Sequence, residues 1–214
     1  MAKPSLLFLD FESFSATDIG SCGSFKYMED PSFEVLLLAY AFDDEPVRVV
    51  DFISGLAGEE AYEDPIFLEP PRINGRWPRD FLDALGNPTV TKVAHNAAFE
   101  RYAIRRSLGV YTPPEQWFDT MHLAAQCGLP LSLEGAGKAL HFPEDQAKMK
   151  EGKALIRYFC QPCKETKTNR GRKRNLPEHA PEKWATFVEY CRRDVETERN
   201  IFNKRSPVRR RADG

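Results

Sequence analysis

No apolar run in this sequence approaches the roughly 20 residues needed to cross a bilayer, so no membrane partner is expected. The opening Met-Ala-Lys-Pro-Ser enters a short apolar stretch that breaks at Asp10, without the longer apolar core and small-residue cleavage site of a secretion signal. Cysteine is scarce and odd in number. Five cysteines make a poor disulfide scaffold, and a chain of 214 residues can bury a core without staples. Cys160 and Cys163 form a lone C-x-x-C, with no second pair or nearby histidine to complete a zinc set. These absences point to the reducing cytoplasm. An excess of one charge is missing too: 30 basic against 32 acidic residues leave a net charge of −2. No global field attracts a polyanion, so any such partner must be met by local charge. No internal repeat is visible.

What is present suits one α/β domain, with 42% hydrophobic and 29% charged residues. Ser5 to Phe11 is nearly continuous in apolar residues, as a strand covered on both faces would be. Glu34 to Phe42 and Val47 to Phe52 read as two further strands, with the polar link Asp43-Asp44-Glu45-Pro46 as a hairpin loop. A loop rich in Pro, Gly and acid follows from Ser54 to Gly75. Helices are expected over Trp77 to Leu85, Ala98 to Leu108 (capped by Gly109), Thr120 to Cys127, from Ser132, over Lys150 to Phe159, and over Pro181 to Phe202. Short strands at Val90 to Ala94 and Gln116 to Phe118 complete a β-β-β-α-β-α-β-α order. That order indicates a mixed sheet flanked by helices.

Two segments stand apart. Lys164 to Arg174 carries Lys164, Lys167, Arg170, Arg172, Lys173 and Arg174 against Glu165 alone, and residues 204–214 hold five basic residues. Both lack apolar residues to pack and are expected to be mobile. The expected organisation is a domain over 1–203, with a basic mobile loop at 161–180, and a flexible tail over 204–214.

Carboxylates carry the chemistry. In Asp10-Phe11-Glu12 the alternation of a strand puts Asp10 and Glu12 on one face and Phe11 on the other. Two such acids on a buried strand repel unless a cation lies between them, and hard oxygen donors select Mg²⁺ or Mn²⁺. Alternatively, the strand has ended and both acids face water. Next, in Ala94-His95-Asn96-Ala97-Ala98-Phe99-Glu100, Asn96 sits where an N-cap belongs, and Glu100 lies early in the helix. There Glu100 could simply complement the helix dipole. Lastly, Tyr190 and Asp194 are i,i+4 neighbours at one edge of a stripe formed by Trp184, Val188, Cys191, Val195 and Phe202.

Taken together, the three segments resemble the DEDD proofreading-exonuclease superfamily, tyrosine type. Asp10 and Glu12 match its first motif, Asn96 to Glu100 its second, and Tyr190 with Asp194 its third. The chain is particularly similar to the exonuclease domain of phage-type family A DNA polymerases. That likeness lies in Ala94 to Glu100, Trp117 to Met121, Gly128 to Leu133 and Lys148 to Phe159. The superfamily's second motif usually ends in aspartate where this chain has Glu100. Asp119 is the competing acid, although its position suits the cap of the helix that follows.

The resemblance implies a ribonuclease H-like fold, three antiparallel strands followed by parallel ones, and a metal-dependent 3′→5′ exonuclease. Two ions, Mg²⁺ or Mn²⁺, about 4 Å apart would be held by Asp10, Glu12, Glu100 and Asp194. Tyr190 would orient the attacking water, since a phenol with pKa near 10 is a poor base. His95 reads as a strand-end residue. The implied substrate is single-stranded DNA or a frayed 3′ end, in proofreading for a DNA polymerase domain or subunit in a bacterial or phage-infected cell. Phe11, Phe99 and Phe14 would wedge against bases, or else fill the core. Asn96, Lys148, Arg170, Arg172 and Lys173 are further candidate substrate contacts. The alternatives are an RNA 3′-exonuclease of the same superfamily and a nucleic-acid-binding module without turnover.

Overall fold

The apolar run that opens the chain becomes the central strand of a five-stranded sheet. In the computed structural model, which describes residues 5–54, 77–143 and 152–205, this strand is β1 (Leu6–Phe14). β2 (Glu34–Phe42) and β3 (Arg48–Asp51) follow as an antiparallel meander; β4 (Thr91–Ala94) and β5 (Trp117–Asp119) add in parallel on the other side. The sheet order is β3-β2-β1-β4-β5. This is the mixed sheet expected from the sequence. Ser54 to Gly75 falls almost wholly outside the described residues, as does Lys148.

β1 sends alternate side chains into two different cores, which decides where its acids go. Leu7, Leu9 and Phe11 pack on one face beneath α1 (Ile19–Glu29), α2 (Arg79–Gly86) and α3 (Ala97–Leu108). Phe8 and Phe14 pack on the opposite face, against α6 (Gly152–Phe159) and the 25-residue α7 (Pro181–Arg205). Asp10 and Glu12 share the parity of Phe8 and Phe14, so they face α7. A bulge between Glu12 and Ser13 shifts the register with β2, and pairing resumes at Ser13 and Phe14; bulges commonly re-aim side chains beside active sites. A buried bond from Trp184 Nε1 to Asp51 Oδ2, 2.7 Å, ties α7 to β3. A third, smaller cluster joins α4 (Thr120–Gln126) and α5 (Leu133–Ala139) to Ile201 of α7.

The sequence pattern misses α1. Its Gly20 and Gly23 dilute any apolar stripe, only Tyr27 and Met28 are buried, and the helix is kinked at Gly23, where φ is +75°. At the far end, α7 runs through Arg205, two residues into the expected tail, and Lys204 Nζ bonds the Leu140 carbonyl at 2.9 Å.

Candidate active site

Three elements deliver acids to one place. β1 brings Asp10 and Glu12, the first turns of α3 bring Glu100, and the middle of α7 brings Asp194. Glu12, Glu100 and Asp194 are buried, and Asp10 is half-buried. Ligand atoms of Asp10, Glu12 and Cys191 lie within 4.8 Å of one another, the one such grouping among the described residues. The C-x-x-C pair is not part of it. Cys160 instead lies beneath the site, its Sγ 3.8 Å from Glu12 Oε2 as donor.

Tyr190 and Asp194 are not at the edge of the α7 stripe but inside it, at 1% and 4% exposure. The stripe is centred on Phe187, Tyr190, Cys191, Asp194 and Val195, with Val188 only partly buried. Burial first, then the charges of Asp194, Glu12 and Asp10, push the Tyr190 phenol far above its ordinary range. It is therefore a neutral hydrogen-bond donor, and Asp194 accepts from it.

A Cβ built on Gly152 in α6 would overlap the Tyr190 ring and lie 2.7 Å from its Cδ2 and Cζ. This glycine seats the tyrosine, a role signalled in the sequence only by its place in the Lys148 to Phe159 segment. Gly152→Ala is expected to displace the ring and lower turnover about 10²-fold while metal binding stays intact. Steady-state kinetics beside Mn²⁺ titration would check this.

Glu100 sits at 2% exposure, and its Oε2 has no hydrogen-bond partner. Burial raises its carboxyl well above the usual range; Asp10, and more weakly Asp119 and Glu12, add to the rise. All three charges are acidic. A buried carboxyl among acids, with an oxygen left over, either keeps its proton or meets a hard divalent cation.

Asp119 is committed elsewhere. It caps α4 by accepting from Met121 N (2.8 Å) and His122 N (3.4 Å), as its position in the sequence suggests. It also accepts from Asn96 N and Ala97 N, each at 3.1 Å. Asn96 stands at the N-cap of α3, as the sequence suggests. Its backbone is left-handed (φ 75°) and its own side chain makes no cap bond, while Asp119 reaches across from β5 to the N–H groups of Asn96 and Ala97. Asp119→Ala should cost about 2–3 kcal/mol, read as a lower urea midpoint. His95 is held at both ring nitrogens, by Thr120 Oγ1 (3.0 Å) and the Leu131 carbonyl (2.8 Å). That carbonyl can only accept, so Nε2 carries the proton, and the ring's bonds fit a strand-end role.

A cleft of about 460 Å³ opens beside Glu12, with Phe11, Thr17, Tyr27, Phe99 and Cys160 in its walls. Phe11 is also packed edge-on against Trp77 and Phe81 in the core, whereas Phe99 is only half-buried. Phe14 is buried under Arg174, whose guanidinium lies 4.1 Å from the ring centroid and also pairs with Glu34 at 2.5 Å. Gln161 and Pro162 reach the cleft wall, so the basic segment starts there. Within that segment Cys163 N bonds the Lys173 carbonyl at 2.8 Å and Lys173 pairs with Glu165; Arg170 is exposed.

No protein-family profile matches the chain. A DNA polymerase of Bacillus phage SP02 is 44% identical over 198 residues, which is 92% of this chain but 27% of the polymerase. The chain thus spans about a quarter of that relative's length. Among solved structures, Brucella melitensis NrnC superposes with a TM-score of 0.57 at 12% identity, over 99% of this chain and 76% of the other. Trypanosoma brucei RNase D, solved with GMP, gives 0.52 at 18% identity, over 95% and 51%.

Proposed function

We propose that this chain is a member of the DEDD exonuclease superfamily, a metal-dependent 3′→5′ exodeoxyribonuclease that proofreads for a DNA polymerase. The observation that carries the reading is the convergence of half-buried Asp10 with buried Glu12, Glu100 and Asp194 from three elements, with one Glu100 oxygen unpartnered. Asp10, Glu12 and Asp194 would hold one Mg²⁺ or Mn²⁺ ion, and Asp10 with Glu100 a second. Divalent ions in such a site supply Lewis acidity and lower the pKa of water.

The chain's own residues do the rest. Tyr190 keeps its proton and positions the attacking water by hydrogen bond, with Gly152 fixing where the ring stands. The cleft beside Glu12 accepts the terminal nucleotides, Phe99 and Phe11 offering apolar surface to the bases and exposed Asn96 a polar contact. Arg170, Arg172 and Lys173 meet the phosphates beyond the rim and make binding weaken with salt. Lys148 would join them, although it lies outside the described residues.

The phage polymerase relative supports DNA as substrate. The likeness to RNase D keeps an RNA 3′-exonuclease as the second reading. Matched 3′-labelled DNA and RNA single strands, incubated with Mg²⁺, separate the two: stepwise shortening of DNA in preference to RNA is expected. Preferential RNA shortening would install the second reading. No shortening of either strand would leave a binding module without turnover.

A further inference from the structure

One buried acid on α7 has no place in that mechanism. Glu198 lies one helical turn beyond Asp194 and two beyond Tyr190, so the three form a column on one face. It is 1% exposed. Its carboxylate accepts from the backbone N–H of His95, in the turn that carries β4 into α3. Its Oε1 has no hydrogen-bond partner. The charges acting on it are Asp10, Glu100 and Asp119, all acidic.

A glutamate buried for structure alone would be paired with a cation or bonded at both oxygens. Glu198 has neither arrangement. Pinning the turn through His95 N–H needs only one acceptor oxygen, which a glutamine amide supplies equally well. The remaining oxygen, buried and within reach of the charges of Asp10 and Glu100, has a use once a divalent ion is present. Glu100 has the same kind of leftover atom, so two orphaned carboxylate oxygens share one acidic neighbourhood.

We propose that Glu198 is a fifth acid of the metal centre, acting with Glu100 to hold the ion on the α3 side. The proposal rests on the two-ion reading given above. It makes Glu198 a metal-positioning residue whose negative charge matters, and not only its shape.

The test is calorimetric titration of the whole chain with MnCl₂, for wild type, Glu198→Gln and Glu198→Ala, beside thermal unfolding in EDTA. Glu198→Gln keeps the His95 bond and the packing but not the charge. It is expected to unfold in EDTA at or above the wild-type temperature, yet to bind the weaker Mn²⁺ at least about tenfold less tightly. Glu198→Ala should lose both stability and that ion. Wild-type affinity and stoichiometry in Glu198→Gln would overturn the proposal and reduce the residue to a pin. Failure of Glu198→Gln to fold in EDTA would also overturn it, since the charge would then serve structure. A wild-type chain that binds no Mn²⁺ would bring down the two-ion reading itself. A wild type that binds two ions and degrades DNA beside an unaffected Glu198→Gln would remove only the role of Glu198.

Discussion

Asp10→Asn is expected to cut shortening of a 3′-labelled single strand by roughly 10³-fold while leaving the metal-free fold as stable as before, or more so. Asp10 stands at the centre of the acidic cluster: its charge acts on Glu100, Tyr190, Cys191 and Glu198 alike. It also shares a grouping within 4.8 Å with Glu12 and Cys191. Removing that charge withdraws the donor that both ions would share, so hydrolysis falls. The same removal relieves repulsion in a low-dielectric pocket, so unfolding in EDTA should move up by on the order of 1 kcal/mol. Opposite signs in the two measurements distinguish a functional charge from a structural one. Parallel losses of activity and stability would mean that Asp10 holds the fold together. Full activity in Asp10→Asn would remove it from the mechanism.

The sheet was readable in the sequence wherever a strand is covered on both faces. The apolar runs of β1 and β2 admit no other burial, and the acidic hairpin between β2 and β3 interrupts them sharply. Asp119 was legible as a cap because capping is local. Its second service, to Asn96 and Ala97, was not, since it depends on β4 and β5 lying side by side. Asp10, Glu12, Glu100, Tyr190 and Asp194 could be picked out as a set only through a family likeness; each segment alone reads equally well as surface or core. Glu198 was invisible for a related reason. In Arg192-Arg193-Asp194-Val195-Glu196-Thr197-Glu198-Arg199 it is one charge among many, and helical phase alone does not show that α4 and α5 cover that face. The seat that Gly152 provides for Tyr190 likewise exists only once α6 meets α7.

Stability without metal should fall as pH rises above about 4.5, the reverse of the usual behaviour of carboxylate-rich proteins. Glu100 and Glu198 are both buried, and burial, reinforced by Asp10 and by the other acids around them, raises both carboxyls well above 4.5 in the folded chain. Between 4.5 and those raised values the folded chain holds protons that the unfolded chain has released. Their contribution to stability is thus complete below the unfolded pKa and is lost as pH climbs through the folded one. Each group accounts for on the order of 1 kcal/mol per pH unit while it remains protonated only in the fold. Several other shifted groups titrate outside this window. Asp30 and Glu189 are lowered and titrate below it, Lys92 is pushed down by burial only to about 8, and Cys160 and Cys191 are raised above 9. A divalent ion requires the deprotonated acids, so saturating Mn²⁺ should erase or invert the slope. Denaturant midpoints at pH 5, 6 and 7, in EDTA and in Mn²⁺, give the comparison. A metal-free midpoint that is flat or climbs across that range would mean the two glutamates are ionised in the fold. In Glu100→Gln combined with Glu198→Gln the EDTA slope should vanish, which ties it to these two side chains.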